Sequence, residues 1–220
     1  MNKISYERNV GSDFLFFDGA FGTYYRKISG KNANCEYANI NEKDTVYQIH
    51  KAYIDAGSNA VKTNTFAANS LLYDDFNTVS QIIKNGYEIA VSAAALRNVD
   101  VFADIGYISS EEQTDSSEYI EIANVFIGCG AKKFIFETFP EYEVLIPAID
   151  EIKSKVPDAV IIVSFAVLQD GYTQKGHYYK KLIKAASENK NIDIADLNFI
   201  CVPTHLYNLI KKLDLSNLNV

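Results

Sequence analysis

The chain has 220 residues, 48% hydrophobic and 22% charged, enough apolar material to bury a sizeable core. Its net charge of -7 comes with no basic stripe to neutralise phosphates, which argues against nucleic acid as a partner. No apolar run approaches the roughly 18–20 residues that span a bilayer, so no membrane segment is expected.

Three cysteines, Cys35, Cys129 and Cys201, form no CxxC pair, and the opening MNKISYERN has no apolar signal core. A reducing, cytoplasmic setting without a disulfide framework is therefore expected.

The first apolar run is Phe14–Phe17, which ends on Asp18-Gly19. Further short runs follow at 59–62, 101–103, 134–136, 159–165 and 194–200. Continuous runs of this length suit strands buried on both faces of a parallel sheet. Amphipathic stretches lie between them. Val46, Ile49, His50, Tyr53 and Ile54 carry helical spacing, with Asn41 and Asp44 as a cap and Gly57 as a stop. Four more stripes run through Ile82–Ala94, Tyr119–Phe126, Val144–Ile152 and Leu182–Ala186, and a sixth through Leu206–Leu213. The segment 29–43 is the longest irregular piece and reads as a rim loop.

Strict strand–helix alternation implies parallel strands joined by right-handed crossovers. No linker composition divides the chain, so residues 1–220 read as one domain. The first glycine turn, Asp18-Gly19-Ala20-Phe21-Gly22-Thr23, lacks the G-x-G-x-x-G of a dinucleotide-binding fold. A (β/α)8 barrel instead puts its chemistry at the C-terminal ends of its strands. All six runs end there in polar residues: Asp18, Lys62 with Thr63 and Asn64, Asp104, Glu137 with Thr138, Ser164, and Asn198. The expected fold is α/β, of (β/α)8 TIM-barrel type, with about six β/α units in this chain and strands seven and eight outside it.

The segments FFDGAFGT (16–23), IHKAYIDAGSNAVKTNTFAANS (49–70), ADIG (103–106), GAKKFIFET (130–138), VSFAVLQDGYTQKG (163–176) and LNFICVP (197–203) resemble, in order and spacing, the homocysteine S-methyltransferase family. That family includes betaine–homocysteine methyltransferase and the homocysteine-binding module of methionine synthase. The resemblance implies a barrel that binds homocysteine beside zinc, the metal holding the substrate sulfur as a thiolate. A free thiol, with a pKa of about 8.5, is mostly protonated at neutral pH, and a bound cation removes that proton. By resemblance Asp18 and Gly19 approach the amino-acid end of the substrate, Glu137 its ammonium group, and Asn198 stands beside the metal. Thr63 and Asn64 belong to the second-strand TNT motif of the same pocket.

The chain departs from the family pattern at several positions. Aligned on Asn198 and Pro203, Phe199 occupies the place of a zinc cysteine. Cys201 lies two residues later, on the same strand side about 7 Å further along, and is the remaining candidate ligand. The family's paired cysteines on the eighth strand have no counterpart, and Cys35 and Cys129 match no ligand position. Zinc is thus expected from the family while its ligand set is unmatched here. Lys62 stands where methionine synthase-like members often carry glutamate, and it is placed to pair with Asp18 or Glu137. Asp104 and Tyr107 replace the serine and proline of an S-I-G-P motif.

His50 reads as a core histidine, His177 as a rim loop residue and His205 as a surface residue. Tyr24 and Tyr25, just past the first turn, are candidates to line a pocket. Open edges at the first and sixth strands would be apolar, so self-association through them is expected. The leading functional expectation is methyl transfer to a homocysteine-type thiol. The alternatives are a shortened, catalytically inactive barrel that binds a small molecule or a partner, and a Schiff-base enzyme using Lys62 as a desolvated amine.

Overall fold

The computed structural model describes residues 14–32, 34–95, 97–109 and 116–199, together with Tyr207, Leu209 and Lys211. In chain order these residues form α1 (Phe21–Ser29), a 3-10 turn (Cys35–Tyr37), α2 (Ala38–Asn41), α3 (Lys43–Asp55), β1 (Ala60–Lys62), α4 (Ser70–Tyr73) and α5 (Phe76–Ala94). Next come β2 (Asp100–Gly106), α6 (Ser117–Gly128), β3 (Lys133–Phe139), a second 3-10 turn (Glu143–Leu145), α7 (Ile146–Lys155), β4 (Val160–Val167), α8 (Tyr179–Glu188) and β5 (Ile194–Phe199).

The strands are all parallel and stand in the order β1-β2-β3-β4-β5. A doubly wound sheet would reverse direction from its first strand; an order that never reverses, with the sheet curled into a half-barrel, is the barrel topology. Alternation along each strand sorts the side chains. Ala103, Phe134, Phe136, Ile161, Val163 and Phe165 point outward into the main core under the helices. Burial of a Val, Ile or Phe side chain contributes roughly 1.5–3 kcal/mol. Ala60, Phe102, Ile135 and Ile162 point to the concave side and form an apolar floor.

The first apolar run differs from expectation. Phe14–Phe17 lies beside β1, but Asn59 takes the place of a regular ladder. Its side chain accepts from Phe16 N (2.8 Å) and donates to the Phe14 carbonyl (3.0 Å), while Phe16 O receives both Asn59 N and Ala60 N. Leu15 and Phe17 pack on the concave floor, whereas Phe14 and Phe16 are 69% and 57% exposed, so the run is covered on one face and not on two.

Two further expectations are corrected. Asn41 closes α2, and α3 starts after Glu42 without a side-chain cap. The segment 29–43 is largely helical, because a 3-10 turn and α2 fold there against α3 and α5. Gly57 does end its helix region with φ +111, a conformation L side chains rarely adopt. Of the sixth helical stripe only Tyr207 and Leu209 are described, Leu209 buried against Gly171; His205 lies outside the described residues.

Candidate functional site

Strand alternation places a polar layer directly above the apolar floor. Lys62, Glu137, Ser164, Asp196 and Asn198 face the concave side at the C-terminal ends of β1, β3, β4 and β5. Asp104 from β2 and Asp18 from the first turn join Lys62 and Glu137 around a cleft of about 360 Å³, while Ser164, Asp196 and Asn198 line an adjoining concave hollow of about 740 Å³. Asp18 is oriented by backbone: its own N–H donates to Ala60 O (3.1 Å), and its Oδ1 accepts from Lys62 N (3.2 Å).

Glu137 owes its position to an irregularity. The β3–β4 register shifts between Phe136 and Phe139, and Thr138 sits at φ +64, a left-handed conformation costing about 1–2 kcal/mol for a residue with a Cβ. Lys62 Nζ donates to both oxygens of the Glu137 carboxylate at 2.7 Å, and Asn198 Nδ2 donates to Oε1 at 3.1 Å. The sequence left Lys62 a choice between Asp18 and Glu137; its ion pair is with Glu137.

The electrostatics follow from burial of these groups together. Burial pushes the Asp18 carboxyl up to about 7, with the Lys62 charge opposing. Burial, and then the Glu137 charge, drive Asp104 well above the ordinary carboxylate range. Burial works against the Lys62 charge, but Asp104, Glu137 and Asp18 outweigh it and hold the ammonium above its usual range. A Schiff-base amine must be unprotonated, so this pairing removes the Lys62 nucleophile expectation.

Thr63 and Asn64 frame the cleft, with their hydrogen bonds directed into the protein. Thr63 Oγ1 accepts from Asp104 N (2.9 Å) and meets Thr65 Oγ1 (2.6 Å), which completes a clamp between β1 and β2. Both Asn64 amide hydrogens are used, on Cys35 O (2.8 Å) and Asn39 Oδ1 (2.9 Å). Gly19 lines the cleft against Tyr53, whose ring a Cβ would meet at 3.0 Å. Tyr24 and Tyr25 do not line it. Tyr25 is buried and donates to Glu42 (2.8 Å), and Tyr24 packs edge-on against Tyr53, because α1 turns that face towards α3.

Sequence reasoning missed Glu36 and Arg26, which line the cleft, and Asn39 behind its wall. Asn39 is fully buried and its amide donates to Asn64 O (2.7 Å) and Ile82 O (3.1 Å); Glu36 accepts from Ala67 N (3.1 Å). Gly86, inside α5, was the available signal for Asn39, since a Cβ there would sit 2.5 Å from its amide nitrogen.

Among the described residues no three His, Cys, Asp or Glu side chains gather to hold a metal ion. Cys35 lines the cleft, where burial, followed by the Glu36 charge, pushes its thiol up to about 12. Cys129 caps α6 on the outer surface, in a groove of about 920 Å³ between α5 and α6 that is larger than the cleft and carries none of the polar layer. Cys201, the expected ligand, lies outside the described residues. The described residues therefore do not fit the family's zinc site.

A family model for homocysteine S-methyltransferase matches residues 15–220. Among solved structures, the homocysteine methyltransferase MmuM from Escherichia coli in its metallated form superimposes with a TM-score of 0.72 at 15% identity, over 86% of this chain and 75% of that one. Its apo form gives 0.67 at 17% identity, over 90% and 79%. At such identities the superposition speaks for the fold, and the family match speaks for descent. With the barrel topology and the polar layer at its strand ends, the chain belongs to the homocysteine S-methyltransferase family.

Proposed function

We propose that this chain is a methyltransferase domain acting on the thiol of homocysteine or a close analogue, with the substrate's amino-acid end at the concave strand ends. The observation that carries this reading is the family match over residues 15–220, which spans the whole polar layer from Asp18 to Asn198. The amino-acid end is assigned to Asp18, Gly19, Glu137 and Asn198, with Glu137 acting through the Lys62 ammonium it holds. Thr63 and Asn64 are assigned to holding the cleft wall.

In the reaction the substrate sulfur forms a bond to the methyl carbon while the donor's bond to that carbon breaks. The donor leaves with the electron pair, and the thiol gives up its proton. The chain's own part is to fix the amino-acid end so that the sulfur meets the donor in line, which supplies effective concentration. Zinc, were it bound, would hold the substrate sulfur as a thiolate, with Cys201 as the candidate ligand from this chain. A reducing cytoplasm suits Cys35 and Cys129, both free thiols. Self-association is proposed along the segment that exposes Phe14 and Phe16, and light scattering that returns only a monomer contradicts it. No described helix is long and apolar enough to cross a membrane.

The experiment is incubation of the protein with L-homocysteine and a sulfonium or quaternary-ammonium methyl donor, with and without added zinc. Methionine is detected by mass spectrometry. Enzyme-dependent methionine supports the reading; methylation of a different thiol with homocysteine untouched overturns it.

A further inference from the structure

Lys62 occupies the carboxylate that a substrate ammonium would otherwise use. Glu137 offers about four lone-pair sites. Two are filled by Lys62 at 2.7 Å and one by Asn198 at 3.1 Å. Most of the Glu137 carboxylate is thus engaged before any ligand arrives. Lys62, by contrast, has an N–H to spare. Its ammonium carries three, and among the described residues its hydrogen bonds are the two to Glu137. Its side chain is 21% exposed and lines both the cleft and the open concave side. The layer thus holds a tethered ammonium where a free one would compete, and that ammonium presents one donor to the cleft.

We infer that Lys62 is the specificity-determining residue of this pocket: it keeps Glu137 from the ligand and selects the ligand through a carboxylate. This inference rests on the proposed thiol-binding reading and deepens it. A ligand ammonium entering at Glu137 would have to displace an intramolecular cation, one that arrives at high effective concentration and without the cost of association. A ligand carboxylate does not have to displace Glu137, and the Asp104 and Asp18 carboxyls that share the Lys62 ammonium keep their protons to higher pH because they are buried. Asp18, whose Oδ1 takes only the weak 3.2 Å bond from Lys62 N, is the carboxylate left for a ligand ammonium. The class of ligand favoured is a thiol with a carboxylate, for which the α-amino group adds about tenfold at most.

The test compares three thiols by calorimetry: L-homocysteine, its deaminated analogue 4-mercaptobutanoate and its decarboxylated analogue 3-aminopropane-1-thiol. The wild-type protein is expected to bind the deaminated thiol within about tenfold of homocysteine, and the decarboxylated one at least about a hundredfold more weakly, a loss of the size expected when a charged hydrogen bond goes unmade. Lys62→Met is expected to free Glu137 and invert the order of the two analogues, while Lys62→Arg keeps the wild-type order. Wild-type preference for the amine over the carboxylate overturns the inference, as does an unchanged order in Lys62→Met. Should Lys62→Met not fold, the wild-type and Lys62→Arg orders decide alone. Homocysteine binding with the wrong order refutes this inference and leaves the functional reading standing. Folded protein that binds none of the three thiols refutes both.

Discussion

His50 is fully buried on α3, its ring 5.0 Å from that of Phe21, and neither ring nitrogen has a hydrogen-bond partner among the described residues. Burial alone lowers its pKa from the ordinary 6.5 to about 4. In the unfolded chain the imidazole titrates near 6.5, so over this interval the unfolded state binds the extra proton. Stability therefore falls as pH drops from about 6.5 to about 4. At about 1.4 kcal/mol per pH unit the full loss is roughly 3 kcal/mol, most of it gone by pH 4.5. His50→Leu, of similar volume, removes both the proton and the unpaired nitrogens, whose burial costs about 1–3 kcal/mol. The variant should be more stable than wild type at pH 7.5 by that amount, and by roughly 2–3 kcal/mol more at pH 4.5. Asp18 and Asp104 work in the opposite sense, because their folded-state carboxyls keep protons to higher pH. The assay is therefore the difference in urea unfolding free energy between the two proteins at each pH. A difference that does not change with pH refutes the reasoning and means the imidazole is solvated or paired.

Gly86→Ala should destabilise the protein by about 1–3 kcal/mol by urea unfolding, since the added Cβ reaches 2.5 Å from Asn39 Nδ2 and breaks its bonds to Asn64 O and Ile82 O. Thr138→Gly should raise the melting temperature by relieving φ +64, worth about 1 kcal/mol, and should weaken ligand binding as Glu137 loses its fixed direction; a drop in stability contradicts the strain. With Asp18 titrating near 7, a ligand ammonium beside it requires the ionised form. Homocysteine affinity should therefore rise about tenfold from pH 6 to pH 8 by calorimetry, and Asp18→Asn should abolish that rise.

Much of the fold is legible because each buried strand is a short apolar run ending on a polar residue. Val101–Ala103, Phe134–Phe136 and Ile194–Ile200 fall in β2, β3 and β5, the last as far as Phe199. What periodicity missed is set by partners distant in sequence. Phe14–Phe17 has the same apolar pattern as the other runs, and its departure lies in Asn59, a side chain over forty positions away. The helix start at Lys43 was misplaced because α2 and α3 adjoin, so Asn41 closes one helix and does not open the next. In the site, the strand-end rule located Lys62, Asp104, Glu137 and Asn198. The pairing of Lys62 with Glu137, 75 positions apart, needed three dimensions. Asn39 left no trace in spacing, because its role is to tie a rim helix to the loop after β1 and to α5 from within the core.

The account turns on ligand engaging the concave strand ends and not the larger groove between α5 and α6. Titration of 15N-labelled protein with L-homocysteine, followed through backbone amide shifts, measures this directly. The shifts should concentrate at Lys62, Asp104, Glu137 and Thr138, with Tyr87, Val91 and Cys129 unmoved. Shifts confined to the second group would contradict the account.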